Sequence, residues 1–288
     1  MFEIPDERLP PGFAETVEEP PPDPVEARPA ATVILLRDGA DGPETLLMHR
    51  HRKSGFVPGA WVFPGGRVDP GDGAPALRER CRGLPENATP DPSFWMAAIR
   101  EAFEETGVLL ARTAGAAGDG TAEDGADGSG ADGNGAGEWV PDASSEPRVE
   151  TVRRALMDDE AVLMDVVERL GVELDARPLV HAAHWVTPVV EARRYDTHFF
   201  VAAVPDGRTA RPDPREMVDA VWLTPRAALE RFEAGTLPMV FPTVKTLESL
   251  AGYGSLAAVL DAYRGRPVER ILPRLVRTRS GVGIVVDG

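Results

Sequence analysis

Cysteine is nearly absent. Cys81 stands alone in 288 residues, so no intrachain disulfide can form and a reducing compartment fits best. Long apolar runs are missing too, and no stretch approaches the ~18 consecutive apolar residues of a membrane-crossing helix. The first residues, Met1-Phe2-Glu3-Ile4-Pro5-Asp6, offer neither the basic region nor the apolar core of an export signal. A cytoplasmic location with no membrane partner is therefore expected. Basic charge is also scarce, with a formal net charge of -16. Residues 1–28 carry eight acids against Arg8 and Arg28, and residues 113–147 carry eight acids and no base, which leaves the rest near -2. The lack of a basic stripe argues against a nucleic-acid surface, and no nucleic-acid partner is expected.

What is present suffices for a folded domain: 42% hydrophobic and 27% charged residues are ordinary for a globular chain. Residues 1–30 are rich in Pro and Glu without hydrophobic periodicity and read as a mobile acidic arm. Residues 31–270 read as the main folded domain, 113–147 as a flexible acidic Gly-rich insertion within it, and 271–288 as a C-terminal tail. Residues 31–36 and 45–48 are apolar runs separated by Asp38-Gly39-Ala40-Asp41-Gly42, the pattern of two paired strands. Further strands are expected over 184–189, 197–204 and 218–223. Helices are expected over 149–170, 225–233, 242–250 and 255–263. Strands and helices intermixed in this order imply an α/β sandwich with a mixed sheet.

The best-signalled helix spans residues 92–106, with Asp91 placed to cap it, Pro92 in its first turn and Gly107 at its stop. Trp95, Ile99, Ala102, Phe103 and Thr106 share one apolar stripe. Glu101, Glu104 and Glu105 stand at i, i+3 and i+4, within about a 100° arc of the helix. Such crowding repels by a few tenths of a kcal/mol per pair, ~0.2–0.5 in an isolated helix. A divalent cation reverses that sign, and the oxygen donors suit Mg2+.

Taken with the preceding loop, Phe63-Pro64-Gly65-Gly66-Arg67-Val68-Asp69, the run Arg100-Glu101-Ala102-Phe103-Glu104-Glu105-Thr106-Gly107-Val108 resembles the box that marks the Nudix hydrolase family. Gly66 matches the first position of that pattern and Arg100 to Val108 match its second half. Asp72 stands where the family has Glu, a shorter carboxylate that would weaken the brace between loop and helix. Between Asp72 and Arg100 lie 27 residues rather than seven, so residues 73–91 are read as an insertion bulging from the loop. A long insertion in the box, with Trp185-Val186-Thr187-Pro188, Arg194 to Phe200 and Trp222-Leu223-Thr224-Pro225, is similar to the branch typified by peroxisomal coenzyme A diphosphatase.

The resemblance implies a Nudix-type α/β/α sandwich with a mixed β-sheet plus C-terminal helices, and hydrolysis of a diphosphate bond in a small nucleotide substrate. It implies that Glu101, Glu104, Glu105 and the Gly66 carbonyl hold Mg2+ or Mn2+ and that Arg100 orients a glutamate. Glu101 is the first candidate for activating water and Glu216 the alternative base. Arg67 and Arg194 are candidates for binding substrate phosphate, because a guanidinium offers paired donors to phosphate oxygens. Coenzyme A or acyl-coenzyme A is the expected substrate class, with NADH or ADP-ribose next. A binding or regulatory module without turnover is the competing class. A homodimer is admissible. His49, His51, His184 and His198 show no metal-ligand spacing and are read as structural, and Trp61, Trp185 and Trp222 as core residues rather than base-stacking platforms.

Overall fold

Residues 31–36 are apolar without alternation, as expected of a strand covered on both faces. In the structure, a computed structural model that describes residues 2–52, 57–114, 137–204, 208–215 and 217–286, this run lies at the centre of the molecule. The chain opens with β1 (Phe2–Pro5) and α1 (Phe13–Glu18), then forms β2 (Arg28–Gly39), β3 (Gly42–Arg50), β4 (Trp61–Val62) and β5 (Gly65–Arg67). A 3-10 turn at Pro70–Gly73, α2 (Pro75–Glu79) and β6 (Cys81–Arg82) lead into the long helix α3 (Pro92–Thr106). Next come β7 (Ala111–Thr113), α4 (Pro147–Met157), α5 (Leu163–Leu170), β8 (Val172–Asp175), β9 (Leu179–Val186), β10 (Tyr195–Ala203) and β11 (Met217–Leu223). The chain ends with α6 (Pro225–Glu233), α7 (Phe241–Leu250), α8 (Leu256–Tyr263), β12 (Arg270–Ile271), β13 (Arg274–Arg277) and β14 (Gly281–Val285).

The main sheet runs β11-β3-β2-β10-β9-β12, with β4 against β3 and β5 against β2. It is mixed: β10 is parallel to β2 and antiparallel to β9, whereas β2 and β3 are antiparallel. Alternate residues of β2 serve opposite layers, since side chains alternate between the faces of a strand. Val33 and Leu35 join the core beneath α3, α4 and α5, and Ile34 and Leu36 join the core shared with α6, α7 and α8. The expected α/β/α sandwich with a mixed sheet and C-terminal helices is therefore the observed fold.

Helix α3 has the boundaries its sequence signals. The Asp91 carboxylate accepts from the Ser93 amide at 2.9 Å, and Gly107 closes the helix at φ +77°, a conformation that glycine adopts without strain. Its apolar stripe is buried, with Ile99, Ala102, Phe103 and Thr106 fully covered against the sheet.

Four expectations are corrected. Residues 2–18 contain a strand and a helix: β1 pairs with β14, and β14 with β13, in a small separate sheet, while Phe2 packs its ring 5.9 Å from Phe232 and 5.5 Å from Phe241. One aromatic anchor and a pairing partner at the far end of the chain supply what local periodicity does not show. Residues 271–288 are likewise more than a tail, since they provide that partner through Ile284, opposite Phe2. The insertion at 73–91 does not simply bulge, because β6 within it pairs with β8 in a second sheet, β6-β8-β7, and Leu77 is fully buried. Of the acidic insertion at 113–147, residues 115–136 lie outside the described residues, but 137–147 are anchored. Val140 and Ala143 are buried, and Asp142 accepts hydrogen bonds from the Ser144, Ser145 and Thr209 amides. Among the described residues no helix is long and apolar enough to cross a membrane.

Candidate active site

The site is organised around one guanidinium. Arg100 is buried, and its Nε donates to Asp72 Oδ1 at 3.0 Å while one terminal nitrogen donates to Asp72 Oδ2 at 3.0 Å. The other terminal nitrogen donates to Glu101 Oε1 at 2.9 Å and to Glu104 Oε2 at 3.1 Å. A further donor reaches the Arg67 carbonyl oxygen at 2.7 Å, which ties β5 to α3. The shorter Asp72 therefore does not loosen the brace. The 3-10 turn at Pro70–Gly73 carries Asp72 inward until it is 2% exposed, and its Oδ2 also accepts from the Asp69 amide at 2.8 Å.

The glycines have steric reasons. A Cβ at Gly66 would collide with the Glu101 carboxylate, and one at Gly65 with the Ala31 carbonyl oxygen across the β2–β5 pairing. Glu105 Oε2 accepts from the Gly65 amide at 2.9 Å, so the third acid of the helix holds the loop in place. Glu101 and Glu105 are both 7% exposed, and Glu104 is half-buried.

Charge does not balance here. One Arg100 faces the carboxylates of Asp72, Glu101 and Glu104, with Asp69 at 3.7 Å. Burial pushes the Glu101 carboxyl up to about 8 against the pull of Arg100, with Glu104 and Asp72 adding to the rise. Burial likewise pushes Glu104 up to about 7, and it raises Asp72. The same carboxylates hold the Arg100 pKa above its ordinary value although burial opposes them. The donor set is oxygen only, and its carboxyl groups outnumber the one guanidinium, which fits a hard divalent cation such as Mg2+ or Mn2+ that would displace their protons.

Of the other sequence candidates, Arg67 is exposed beside this cluster. Arg194 is buried one strand away, beyond β2, where Nε donates to the Thr187 carbonyl oxygen at 3.1 Å and a terminal nitrogen to the Val25 carbonyl oxygen at 2.7 Å. The structure does not bring it to the box carboxylates. Glu216 lies outside the described residues. Trp61 and Trp185 are buried in the core on the α6–α8 side, and Trp222 packs beneath the Arg37 guanidinium.

A second polar cluster was not legible from residue spacing. Among the described residues, one group of His, Asp, Glu or Cys has ligating atoms all within 4.8 Å of one another: His184, Asp196 and His198. The antiparallel register sets His198 directly opposite His184, and Asp196 lies two residues along the same strand. His184 Nε2 hydrogen-bonds Asp196 Oδ1, and the His184 and His198 rings stack with centroids 3.9 Å apart. His198 Nδ1 lies 2.9 Å from His181 Nε2. Burial, with the neighbouring His184, lowers His181 to about 4 and His198 to about 3, so both imidazoles are neutral near pH 7.

A carboxylate helix packed on one face of a mixed sheet, braced to a Gly-Gly loop by a buried arginine, is the arrangement the Nudix box encodes. The family model described as the NUDT19 Nudix domain matches residues 74–250. The acyl-coenzyme A diphosphatase NUDT19 of Gallus gallus is 31% identical over 276 residues, covering 78% of this chain and 68% of that protein. Its counterpart from Homo sapiens is 28% identical over 290 residues, covering 86% of this chain and 72% of that protein. A crystal structure of a Nudix hydrolase from Alicyclobacillus acidocaldarius superposes with a TM-score of 0.62 at 27% identity, covering 84% of this chain and 99% of that one. The chain belongs to the Nudix hydrolase family and is related to its NUDT19 branch. It is a hydrolase acting on a pyrophosphate-containing substrate.

Proposed function

We propose that the protein hydrolyses the diphosphate bond of coenzyme A or acyl-coenzyme A, with Glu101, Glu104, Glu105 and the Gly66 carbonyl as the ligands of Mg2+ or Mn2+. The observation that carries the metal-dependent reading is the buried excess of carboxylate around Arg100. The substrate class is supported by the relatives from Gallus gallus and Homo sapiens, both named acyl-coenzyme A diphosphatases.

A divalent ion held there supplies charge neutralisation on the two phosphates. Arg100 positions Glu101 and Glu104 by donating to both while Asp72 fixes its own orientation. Glu101 then accepts a proton from the attacking water, whose oxygen bonds to one phosphorus as the bridging P–O bond breaks, and both halves leave as monophosphates. Glu105 keeps the Gly65-Gly66 backbone close to the reacting groups. Arg67, exposed at the rim, binds substrate phosphate.

Mass spectrometry of products from coenzyme A, acyl-coenzyme A, NADH, ADP-ribose and a nucleotide sugar, each with Mg2+ or Mn2+, tests this. Cleavage of the coenzyme A compounds with the highest kcat/KM, lost in Glu104→Gln, is the expected result. Preference for NADH or ADP-ribose overturns the substrate class. Absence of any product overturns catalysis in favour of a binding module.

A further inference from the structure

We infer that His184, Asp196 and His198 form a second metal site, separate from the carboxylate box, that takes a borderline transition ion such as Zn2+ with two nitrogen ligands and one oxygen ligand. The site is built by strand pairing. Residues 181 and 184 would point to opposite faces of a regular strand, but the register between β9 and β10 shifts between Phe199 and Phe200. A bulge of this kind re-aims side chains. It turns His181 onto the face that carries His184 and His198.

Each member is poised for ligation. His198 is 8% exposed, with the edge of Phe94 from α3 set against its ring at a centroid distance of 4.5 Å. Its Nδ1 can donate to His181 Nε2, which leaves its other ring nitrogen with a free lone pair. Metal-bound histidines commonly donate their second ring nitrogen in this way, so His181 is the orienting partner and not a fourth ligand. Asp196 already engages His184 and has a side chain 34% exposed, which gives an ion a path from solvent and leaves a coordination position open to water. A tetrahedral Zn2+ with ligand bonds of about 2.0–2.1 Å needs donor atoms about 3.3 Å apart. A group lying within 4.8 Å approaches that spacing, and ligation requires the His184 ring to rotate out of its stack on His198 so that both lone pairs meet at one ion. Imidazole nitrogen favours Zn2+ over Mg2+, the reverse of the all-oxygen box.

Isothermal titration with Zn2+ in excess Mg2+ tests the site, with Co2+ absorption as the spectroscopic readout. One equivalent of Zn2+ is expected to bind the wild-type chain and the Glu104→Gln variant alike. Affinity should fall by at least about a hundredfold in His184→Ala and His198→Ala, since losing only the group that hydrogen-bonds a ligand costs about 10- to 100-fold. Bound Co2+ should give the intense visible bands of a four-coordinate site. Absence of a stoichiometric Zn2+ site, weak bands of a six-coordinate hexaaqua-like ion, or binding lost in Glu104→Gln but kept in the histidine variants each overturns the proposal. Should His198→Ala fail to unfold cooperatively, Asp196→Asn replaces it, and undiminished Zn2+ affinity there also overturns the site.

Discussion

Two polar clusters lie against the same face of the main sheet and are built in opposite ways. The box gathers its acids on one helix, where Glu101, Glu104 and Glu105 follow one another within a turn and a single Arg100 offsets part of their charge. The histidine cluster gathers rings from two strands, and among the described residues its hydrogen bonds run to Asp196 and between histidines. One is an excess of buried carboxyl groups over guanidinium, and the other is a set of buried lone pairs. The contrast teaches that a metal-type site can be strongly charged or nearly neutral within one domain, and that the two call for different ions and different pH behaviour.

Breaking the box at its centre should have the largest effect. Arg100→Met leaves Asp72 buried without its partner, and loss of one member of a buried pair costs about 3–5 kcal/mol. Denaturant unfolding should show this loss together with loss of hydrolysis. The histidine cluster has no such keystone, so Asp196→Asn should leave the unfolding midpoint nearly unchanged in the absence of metal. Next in size is Glu104→Gln, which is expected to lower kcat by about 10²- to 10³-fold, the range for removing one group that stabilises transition-state charge. Steady-state kinetics should show His184→Ala with a kcat close to wild type.

The same contrast explains what the sequence discloses. The box helix is readable because its cap, its stop, its apolar stripe and its acids all repeat at helical spacing within 15 residues, Pro92–Thr106. Strands β2, β3, β10 and β11 are readable within a few residues as short apolar runs bounded by turns, and helices α6 to α8 are readable to similar accuracy. The histidine cluster is not, because His181, His184 and His198 become neighbours only through cross-strand register and a bulge, neither of which leaves a local pattern. The pairing of β1 with β14 is hidden likewise, since its partners are near opposite ends of the chain. Asp72 is a third case. Its length suggested a weaker brace, but the depth to which the 3-10 turn carries it is a backbone property that residue identity does not report.

The two clusters should also titrate in opposite senses. Glu101 and Glu104 have folded pKa values above their ordinary ones, so the stability they contribute to the metal-free protein is full at low pH and is lost as pH rises through about 7–8; Asp72, also raised by burial, acts in the same sense. Arg100, Asp69 and the box carboxylates themselves are the charges facing that titration. His181 and His198 are depressed below the usual value near 6.5, so their contribution is full above that pH and is lost as pH falls toward about 4 and 3. His184 and Asp196 face them. Each proton is worth about 1.4 kcal/mol per pH unit where only one state binds it. Thermal melts in EDTA should therefore decline on both sides of a maximum, with His198→Phe flattening the acid side. Mg2+ should restore stability on the alkaline side, and its affinity should rise with pH because binding displaces protons from the carboxyls.

The smallest effects mark the border of the box, where two arginines differ in surroundings. Arg67 is exposed and its side chain is available to solvent ligands, whereas Arg194 is buried with donors directed at the Thr187 and Val25 carbonyl oxygens. Arg67→Ala is expected to raise KM about tenfold, equivalent to about 1.4 kcal/mol, with little change in the unfolding midpoint. Arg194→Ala should do the reverse, costing about 2 kcal/mol of stability through two orphaned carbonyl groups while KM stays near wild type. A KM increase in Arg194→Ala at unchanged stability would move the phosphate contact from β5 to the strand beyond β2, and the substrate would then lie across the sheet end instead of along the Gly-Gly loop.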